Sequence, residues 1–169
     1  MTASPLLIDS NVWSHVVLGS TAMQIKVRAQ MALLHGKYPG TRMVTSAMCV
    51  AECLIAARRL ADPLLAQRAE AAFRIEFDSG DVEIVPVTDQ VLDRAATLRA
   101  NRLKLAASRG SQVAGADGGR LLLPDAAIAA SCLEFNPPAI LVTENDGDFR
   151  YAEDGVQKTV ADLVIEHIG

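Results

Sequence analysis

The sequence predicts an α/β fold in which helices cover both faces of a parallel sheet. Short apolar runs alternate with longer helical patterns along the 169 residues, as expected for strands that are joined by helical crossovers. The runs are apolar throughout instead of alternating with polar residues, which is typical of strands buried on both faces. A chain of this length fits one domain, and we expect that domain to extend over 1–169.

Five apolar runs are the candidate strands. In chain order they cover 6–8, 42–45, 82–87 and 139–142, followed by a weaker run at 159–160. The last run is the weakest because it consists of Thr159 and Val160 alone.

Six helical patterns lie beside these runs, over 11–18, 21–35, 46–60, 63–77, 88–107 and 124–135. Ser46 and Thr88 are suited to cap the first turns of their helices, and Pro63 and Pro124 fit an initial helical turn. Turn-forming residues end three of the helices, at 36–40, 78–80 and 136–138.

One segment, from Ser108 to Arg120, interrupts the pattern. It is rich in Gly and Ser, which bury little surface, and we interpret it as a flexible surface insertion at about 108–120. Long loops within compact domains are often functional, and a plain insertion is the alternative interpretation.

The charge balance limits the kinds of partner. Lys and Arg number 16 against 20 Asp and Glu, so the formal net charge is -4 and the isoelectric point is about 5.3. Such a chain has no uniformly basic surface to attract nucleic acid or anionic lipid, and binding to either requires a local patch or a metal ion. Aromatic residues make up only 4% of the chain, too few to predict a surface on which successive bases stack.

Cysteine usage and hydropathy favour a reduced, soluble protein. The three cysteines, Cys49, Cys53 and Cys132, form neither an even set nor a zinc-binding pattern, and we expect buried thiols. Apolar stretches end well short of the roughly 20 residues of a membrane helix, and the N-terminus lacks the features of a signal peptide. We therefore expect a cytoplasmic protein that does not contact a membrane.

Four acidic residues occupy corresponding positions in the predicted elements. Asp9 directly follows the first strand, and Asp148 follows the fourth. Glu52 lies in the helix after the second strand, and Asp125 opens the sixth helix. Because the carboxyl ends of parallel strands share one edge of a sheet, the first three of these acids are expected to converge there. Asp125 joins them if its helix begins at that edge.

Two of the acids lie in apolar surroundings, where a carboxylate needs compensation. Glu52 is the only polar residue from 47 to 57, and apolar residues flank Asp125 on both sides. Two carboxylates about 4 Å apart repel by roughly 4 kcal/mol at an effective dielectric of about 20, so a cluster of four needs bound protons or cations. Carboxylate ligands without His or Cys favour Mg²⁺ or Mn²⁺ over zinc.

Each acid also has a purely structural interpretation. Asp9 can cap the helix that follows it, Asp125 can interact with the dipole of its own helix, and Asp148 can be an ordinary loop acid. Glu52 is the hardest to explain in this way, because its helix segment has no polar stripe that a surface Glu would occupy.

Four short motifs resemble those of a known nuclease family in composition and order. They are Leu-Leu-Ile-Asp-Ser-Asn-Val-Trp at 6–13, Ala-Glu at 51–52, Leu-Pro-Asp-Ala-Ala-Ile-Ala-Ala at 123–130 and Thr-Glu-Asn-Asp-Gly-Asp-Phe at 143–149. The chain resembles the PIN-domain nucleases over nearly its whole length, and among them the VapC-type toxins of toxin–antitoxin pairs. The resemblance implies a three-layer α/β/α sandwich with a central parallel sheet and an endoribonuclease that depends on Mg²⁺ or Mn²⁺. It also implies a VapB-like antitoxin that covers the acidic pocket, and a homodimer.

The resemblance further implies roles for individual residues. Asp9 and Asp125 match the positions that bind the metal directly, while Glu52 and Asp148 match acids that act directly or through water. Four polar residues match positions that help to order the pocket: Ser10, Asn11, Thr143 and Asn145.

Two features depart from the family pattern. The insertion at 108–120 lengthens the segment before Asp125, so the resemblance does not imply how a substrate reaches the site there. Asp146 is a second aspartate in the last motif and an alternative fourth acid, although we favour Asp148.

The expected chemistry is hydrolysis of a phosphodiester in an RNA such as tRNA or rRNA, leaving a 5′-phosphate and a 3′-hydroxyl. Because the acids repel RNA, basic residues must hold its backbone. Candidates follow one another along the fifth helix and into the insertion: Arg94, Arg99, Arg102, Lys104 and Arg109. A solvated helix face is the alternative interpretation of this group.

Other functions are compatible with the same pattern. The chain could be a PIN nuclease that processes RNA without being a toxin, or an inactive module that binds RNA or a protein partner. A phosphoryl-accepting receiver domain expects an acidic pair near the first strand, and Asp9 has no acidic neighbour. A haloacid-dehalogenase-like phosphatase expects Asp-x-Asp, and position 11 is Asn11.

Overall fold

A computed structural model describes residues 3–108, 121–153 and 156–169. Its central sheet has five strands in the order β3-β2-β1-β4-β7, and all the neighbouring strands are parallel. The strands are β1 (Leu6–Ile8), β2 (Met43–Ser46), β3 (Val82–Val85), β4 (Ile140–Thr143) and β7 (Ile165–His167). The predicted parallel sheet is therefore confirmed.

Helices cover both faces of this sheet. They are α1 (Ser10–Leu18), α2 (Thr21–Lys37), α3 (Ala47–Arg58), α4 (Pro63–Asp78), α5 (Asp89–Ser108) and α6 (Leu123–Cys132). Leu7 and Leu141 belong to the core cluster that contains the buried residues of α5 and α6. Ile8 and Val142, the next residues along the same strands, belong to the cluster that contains the buried residues of α1, α2 and α4. This alternation confirms the three-layer α/β/α sandwich.

The predicted helix starts agree with the caps that the structure shows. The hydroxyl of Ser46 accepts a hydrogen bond from the backbone N–H of Met48 at 3.2 Å, which caps α3. The hydroxyl of Thr88 accepts one from the N–H of Val91 at 3.3 Å at the start of α5. Pro63 lies in the first turn of α4, where a missing backbone N–H costs no helical hydrogen bond.

The fifth strand of the sheet is not the predicted run at 159–160. Thr159 ends β6 (Val156–Thr159), which pairs antiparallel with β5 (Arg150–Glu153) in a separate two-stranded ribbon. The sheet is completed instead by β7, which pairs with β4 alone. The prediction was wrong because an edge strand is covered less completely than a central one, and the three residues Ile-Glu-His of β7 form no apolar run.

A buried hydrogen-bonded link joins the two strands and the helix around the first acid. The indole Nε1 of Trp13 donates to the hydroxyl of Thr45 at 3.2 Å. That hydroxyl donates in turn to the carbonyl oxygen of Ile8 at 2.9 Å. The link therefore fixes α1 against β1 and β2 next to Asp9, the residue that follows β1.

The three cysteines are free and buried, as predicted. None of the helices in the described part of the chain is long and apolar enough to cross a membrane. The predicted insertion from 109 onward and Arg109 lie outside the described residues, as does the side chain of Lys104.

Candidate active site

Asp9 lies where β1 ends and α1 begins, and its side chain is held at both oxygens. The residue is only 4% exposed. Oδ1 accepts a hydrogen bond from the backbone N–H of Ser10 at 2.7 Å and caps α1. Oδ2 accepts one from the hydroxyl of Thr143, also at 2.7 Å. Asp9 thus does cap its helix, but its second oxygen is directed to the end of β4, the neighbouring strand.

The hydroxyl of Thr143 acts as a hydrogen-bond donor to Asp9, because its oxygen already accepts two other hydrogen bonds. It accepts hydrogen bonds from the side-chain amide of Asn11 at 3.1 Å and from the backbone N–H of Asn145 at 3.0 Å. With two donors aimed at its oxygen, its own hydrogen is directed to Asp9. The side-chain oxygen of Asn11 also accepts the N–H of Glu144 at 3.2 Å, which joins the start of α1 to the end of β4.

Glu52 is placed beside Asp9 by α3. Burial raises the pKa of Glu52, and the charge of Asp9 raises it further, while a hydrogen bond with the side chain of Ser10 acts in the opposite direction. Ser10 also lies close to Asp9, with its hydroxyl 3.4 Å from Oδ1. Ser10 therefore lies between the two carboxylates and contacts both.

Asp125 lies in the first turn of α6 and joins this group. Its pKa is raised to about 7, first by burial and then by the charges of Asp148, Asp9 and Glu52, in that order. These three acids are the ones that sequence position predicted to converge. The helix of Asp125 does therefore begin at the C-terminal edge of the sheet.

Asp148 and Asp146, the two candidates for the fourth acid, have different surroundings. Asp148 lies in a short 3₁₀ helix (Asp146–Phe149), accepts a hydrogen bond from the side chain of Asn145, and raises the pKa of Asp9. Asp146 accepts a hydrogen bond from Nε of Arg150 at 2.7 Å, and its other oxygen is 3.6 Å from Nδ1 of His167. Asp146 thus has basic partners, whereas Asp148 is coupled to the other acids.

The donor set fits a hard divalent cation. Burial raises the pKa of Asp9, which shows that its charge is poorly compensated inside the protein. Cys49 is the nearest sulfur, 3.9 Å from Oδ1 of Asp9, but burial and the charge of Asp9 raise the pKa of this thiol well above its usual value. The thiol therefore stays protonated and leaves carboxylate oxygens as the ligands.

The side chains of the four acids do not converge on one point in the arrangement that the structure shows. Within the described ranges, no group of three or more His, Cys, Asp or Glu side chains has an arrangement that could hold a metal ion. Binding of an ion at this edge therefore requires rotation of the partly exposed acids, Glu52, Asp125 and Asp148, towards the fixed carboxylate of Asp9.

The basic residues predicted to hold RNA are only partly available. Arg94 forms an ion pair with Glu134 at 2.7 Å, and Arg99 is partly buried on α5. The structure corrects the surface position expected of Arg102, which is only 8% exposed. Its Nη2 donates to the carbonyl oxygen of Arg150 at 2.9 Å, and its guanidinium lies 4.4 Å from the ring centroid of Tyr151. Arg102 therefore packs the ribbon of β5 and β6 onto α5.

Two side-chain contacts at this edge were not predicted. His15 of α1 contacts Glu144 through Nε2, and Arg150 binds Asp146. The first joins residues that are 129 positions apart, which a single sequence does not reveal. The second was accessible from sequence, because Arg150 follows Asp148 by two positions and is the nearest basic residue to any of the four acids.

Comparisons with known proteins agree with this fold. The PIN domain family model matches residues 6–154. DNA-bound VapBC from Salmonella typhimurium has a similar fold, with 18% identity over 97% of this chain and 98% of that chain and a TM-score of 0.60. FitAcB from Neisseria gonorrhoeae matches with 19% identity over 95% of each chain and a TM-score of 0.59. A sarcin-ricin loop cleaving toxin, VapC20 from Mycobacterium tuberculosis, matches with 15% identity over 80% of this chain and 86% of that chain and a TM-score of 0.54. No curated protein sequence matches the chain.

Proposed function

The chain belongs to the PIN domain family, and we propose that it is a metal-dependent endoribonuclease that acts as the toxin of a toxin–antitoxin pair. PIN domains are nucleases. One observation carries the proposal for this chain: four acids from separate elements lie at one edge of the sheet, where Asp125 is close enough to Asp148, Asp9 and Glu52 for their charges to raise its pKa. A cluster of four carboxylates at one partly buried edge of a sheet is suited to bind a divalent cation.

Asp9 and Asp125 are the residues that would hold Mg²⁺ or Mn²⁺. Such an ion supplies an activated water and offsets negative charge on the scissile phosphate. The hydrogen bonds from Ser10 and Thr143 fix the carboxylate of Asp9 before an ion arrives, so little conformational entropy is lost on binding. Glu52 and Asp148 are partly exposed, and their carboxylates can orient the attacking water by accepting its hydrogens.

Cleavage of a panel of RNAs, including tRNAs and rRNA fragments, tests the activity directly. Purified protein is assayed with Mg²⁺, with Mn²⁺ and with EDTA, beside Asp9→Asn and the matched control Asp81→Asn. Asp81 is an exposed aspartate in the turn before β3, far in sequence from the four acids. We expect cleavage that requires a metal, is lost in Asp9→Asn and is kept in Asp81→Asn. Absence of cleavage by the folded wild type with either metal would favour a binding module.

The proposed biological role is inhibition of growth through RNA cleavage, relieved by a VapB-like antitoxin. This part is supported by the similarity in fold to VapBC complexes, which contain antitoxin partners. Expression of the wild type in a bacterial host should arrest growth, and Asp9→Asn should not. Co-expression of a small partner encoded beside the gene should restore growth. Growth that continues while the purified protein cleaves RNA would instead indicate an RNA-processing PIN nuclease.

We also propose that the protein forms a homodimer. Light scattering of the purified chain should give about twice the mass of 18.0 kDa that the sequence gives. A mass of one chain across the concentrations used for the cleavage assay would show that the nuclease acts as a monomer.

A further inference from the structure

The four acids do not explain how an RNA backbone is held next to them. A polyanion is repelled by carboxylates, so at least one cation must lie within reach of the scissile bond. Arg102 is buried, and Arg94 pairs with Glu134 beyond the C-terminal end of α6, the opposite end of that helix from Asp125. Arg150 is the basic residue nearest in sequence to the site, two positions after Asp148.

Arg150 is held in place by two neighbours. Its Nε donates to Oδ2 of Asp146 at 2.7 Å. Its carbonyl oxygen accepts the hydrogen bond from Nη2 of Arg102 at 2.9 Å, which fixes the first residue of β5. The side chain of Arg150 is nevertheless 33% exposed. It is thus an oriented guanidinium with access to solvent.

Chain geometry limits how far Arg150 can lie from the acids. Consecutive Cα atoms are about 3.8 Å apart, so the Cα of Arg150 is at most about 7.6 Å from that of Asp148. Contacts across the sheet also place Asp146, the partner of Arg150, at the edge where the acids lie. Asp146 faces His167, and His167 is the strand partner of Thr143, whose hydroxyl donates to Asp9.

The remaining hydrogens of the guanidinium suit a phosphate. One oxygen of Asp146 accepts Nε, and the other lies 3.6 Å from Nδ1 of His167. Among the residues that the structure describes, the hydrogen bond of the Arg150 guanidinium is the one from Nε, and the two Nη groups form none. An Arg fork with its Nη groups available is the geometry that binds two oxygens of a phosphate.

We propose that Arg150 binds a backbone phosphate of the RNA strand beside the scissile bond. The inference rests on the proposed nuclease function and names the residue that holds its substrate. Asp146 is then a positioning residue that orients the guanidinium, and Arg102 is a positioning residue that fixes the strand carrying it. This arrangement explains why the last motif contains two aspartates with different surroundings.

Salt-dependent RNA binding tests the proposal. Binding of a fluorescent single-stranded RNA is measured by anisotropy from low to moderate KCl in the Asp9→Asn background, where the RNA stays intact. Arg150→Ala should weaken binding about tenfold and reduce the slope of log K against log salt by about 0.7, the contribution of one phosphate contact in a single strand. Arg150→Lys should keep the slope, because the charge is kept, and still bind more weakly because the fork is lost.

The matched control is Arg42→Ala. Arg42 is also ion-paired, with Glu83, but it precedes β2 and therefore lies at the opposite edge of the sheet. Its loss should change neither the affinity nor the slope. If Arg150→Ala lowers the melting temperature, comparison of Arg150→Lys with Arg150→Gln at temperatures where both are folded separates charge from folding. Equal slopes for Lys and Gln would overturn the proposal.

The outcome separates this inference from the proposed function. Wild-type cleavage together with an unchanged slope in Arg150→Ala would remove the role of Arg150 and leave the nuclease intact. Absence of cleavage by the wild type would remove the proposed function itself. In active protein, Arg150→Ala should raise KM more than it lowers kcat, since a phosphate contact away from the reacting atoms contributes to binding in both states.

Discussion

Two carboxylates on different helices have pKa values displaced in opposite directions. Glu70 of α4 accepts hydrogen bonds from Arg58 at 2.9 and 3.0 Å and from Arg74 at 2.8 Å, and these lower its pKa to about 2. The pKa of Asp125 of α6 is raised to about 7, first by burial and then by three other acids. The two carboxylates differ in burial and in the charges of their neighbours.

The comparison shows two uses of negative charge in one fold. At Glu70 the chain supplies its own cations, so the ion pairs are complete without a ligand. Among the described residues, the charges that act on Asp125 are those of three acids, so the folded protein carries a repulsion that a bound cation would relieve. Functional sites commonly retain such destabilising arrangements because activity depends on them.

Replacing each carboxylate with its neutral amide should change the melting temperature in opposite directions for Asp125 and Glu70. Asp125→Asn should reduce RNA cleavage at least a thousandfold, because a metal ligand is lost, and should raise the melting temperature in EDTA at pH 8 by a few degrees because repulsion is relieved. Glu70→Gln should leave cleavage unchanged and lower the melting temperature slightly. Differential scanning fluorimetry and a cleavage assay on the same preparations measure both effects. A fall in the melting temperature of Asp125→Asn would contradict the comparison.

Substituting the two aspartates of the last motif in turn tests which of them belongs to the acidic site. Asp148→Asn should weaken Mn²⁺ binding and cleavage about 10- to 100-fold, since Asp148 interacts with the acids of the site. Asp146→Asn should leave Mn²⁺ affinity within about twofold, because Asp146 is paired with Arg150. Calorimetric titration of both variants with Mn²⁺ checks this. The reverse ranking would make Asp146 the fourth acid.

Loss of the Thr143 hydroxyl should have a smaller effect. Thr143→Val leaves Oδ2 of Asp9 and the side-chain amide of Asn11 without their shared partner, which should cost about 1–3 kcal/mol of stability and lower cleavage about tenfold. Thr143→Ser keeps the hydroxyl and should restore most of the cleavage. Chemical denaturation and kcat/KM of the two variants test this. Equal activity in Val and Ser variants would show that the hydroxyl does not position Asp9.

The smallest expected effect is a dependence of stability on pH without metal. The pKa of Asp125 rises from 3.8 in its ordinary state to about 7 in the folded protein, so the folded state binds this proton more tightly than the unfolded chain. The stabilisation is complete below about pH 4 and is lost as the pH rises through about 7. In EDTA the melting temperature should therefore be a few degrees higher at pH 5 than at pH 8, and the difference should shrink in Asp125→Asn.

Much of the fold was accessible from sequence because its central elements are strongly apolar. The strands β1 and β4 and the helix α6 are almost entirely buried, and their aliphatic composition identified them. The edge strand β7 was missed because it is short, polar and paired on one side only. Local patterns do not encode which distant strand a short segment joins.

Some features of the site could likewise be predicted from the sequence, and others could not. The acids could be predicted because a carboxylate in an apolar helix, as for Glu52, or directly after a buried strand, as for Asp9, is conspicuous in one sequence. The burial of Arg102 could not be predicted, because it depends on the ribbon that packs over α5. Nor could the approach of His167 to Asp146, which depends on the pairing of β7 with β4.

The metal-binding capacity of the acidic edge is tested most directly by calorimetric titration of the wild type and Asp9→Asn with Mn²⁺ at pH 7, in two buffers with different enthalpies of ionisation. Because the pKa of Asp125 is about 7, a part of the molecules carries a proton there that the ion must displace. We expect Mn²⁺ to bind the wild type with release of a fraction of a proton, and binding to be lost in Asp9→Asn. Absence of Mn²⁺ binding to the wild type, or equal binding to Asp9→Asn, would contradict a divalent cation site formed by these four carboxylates.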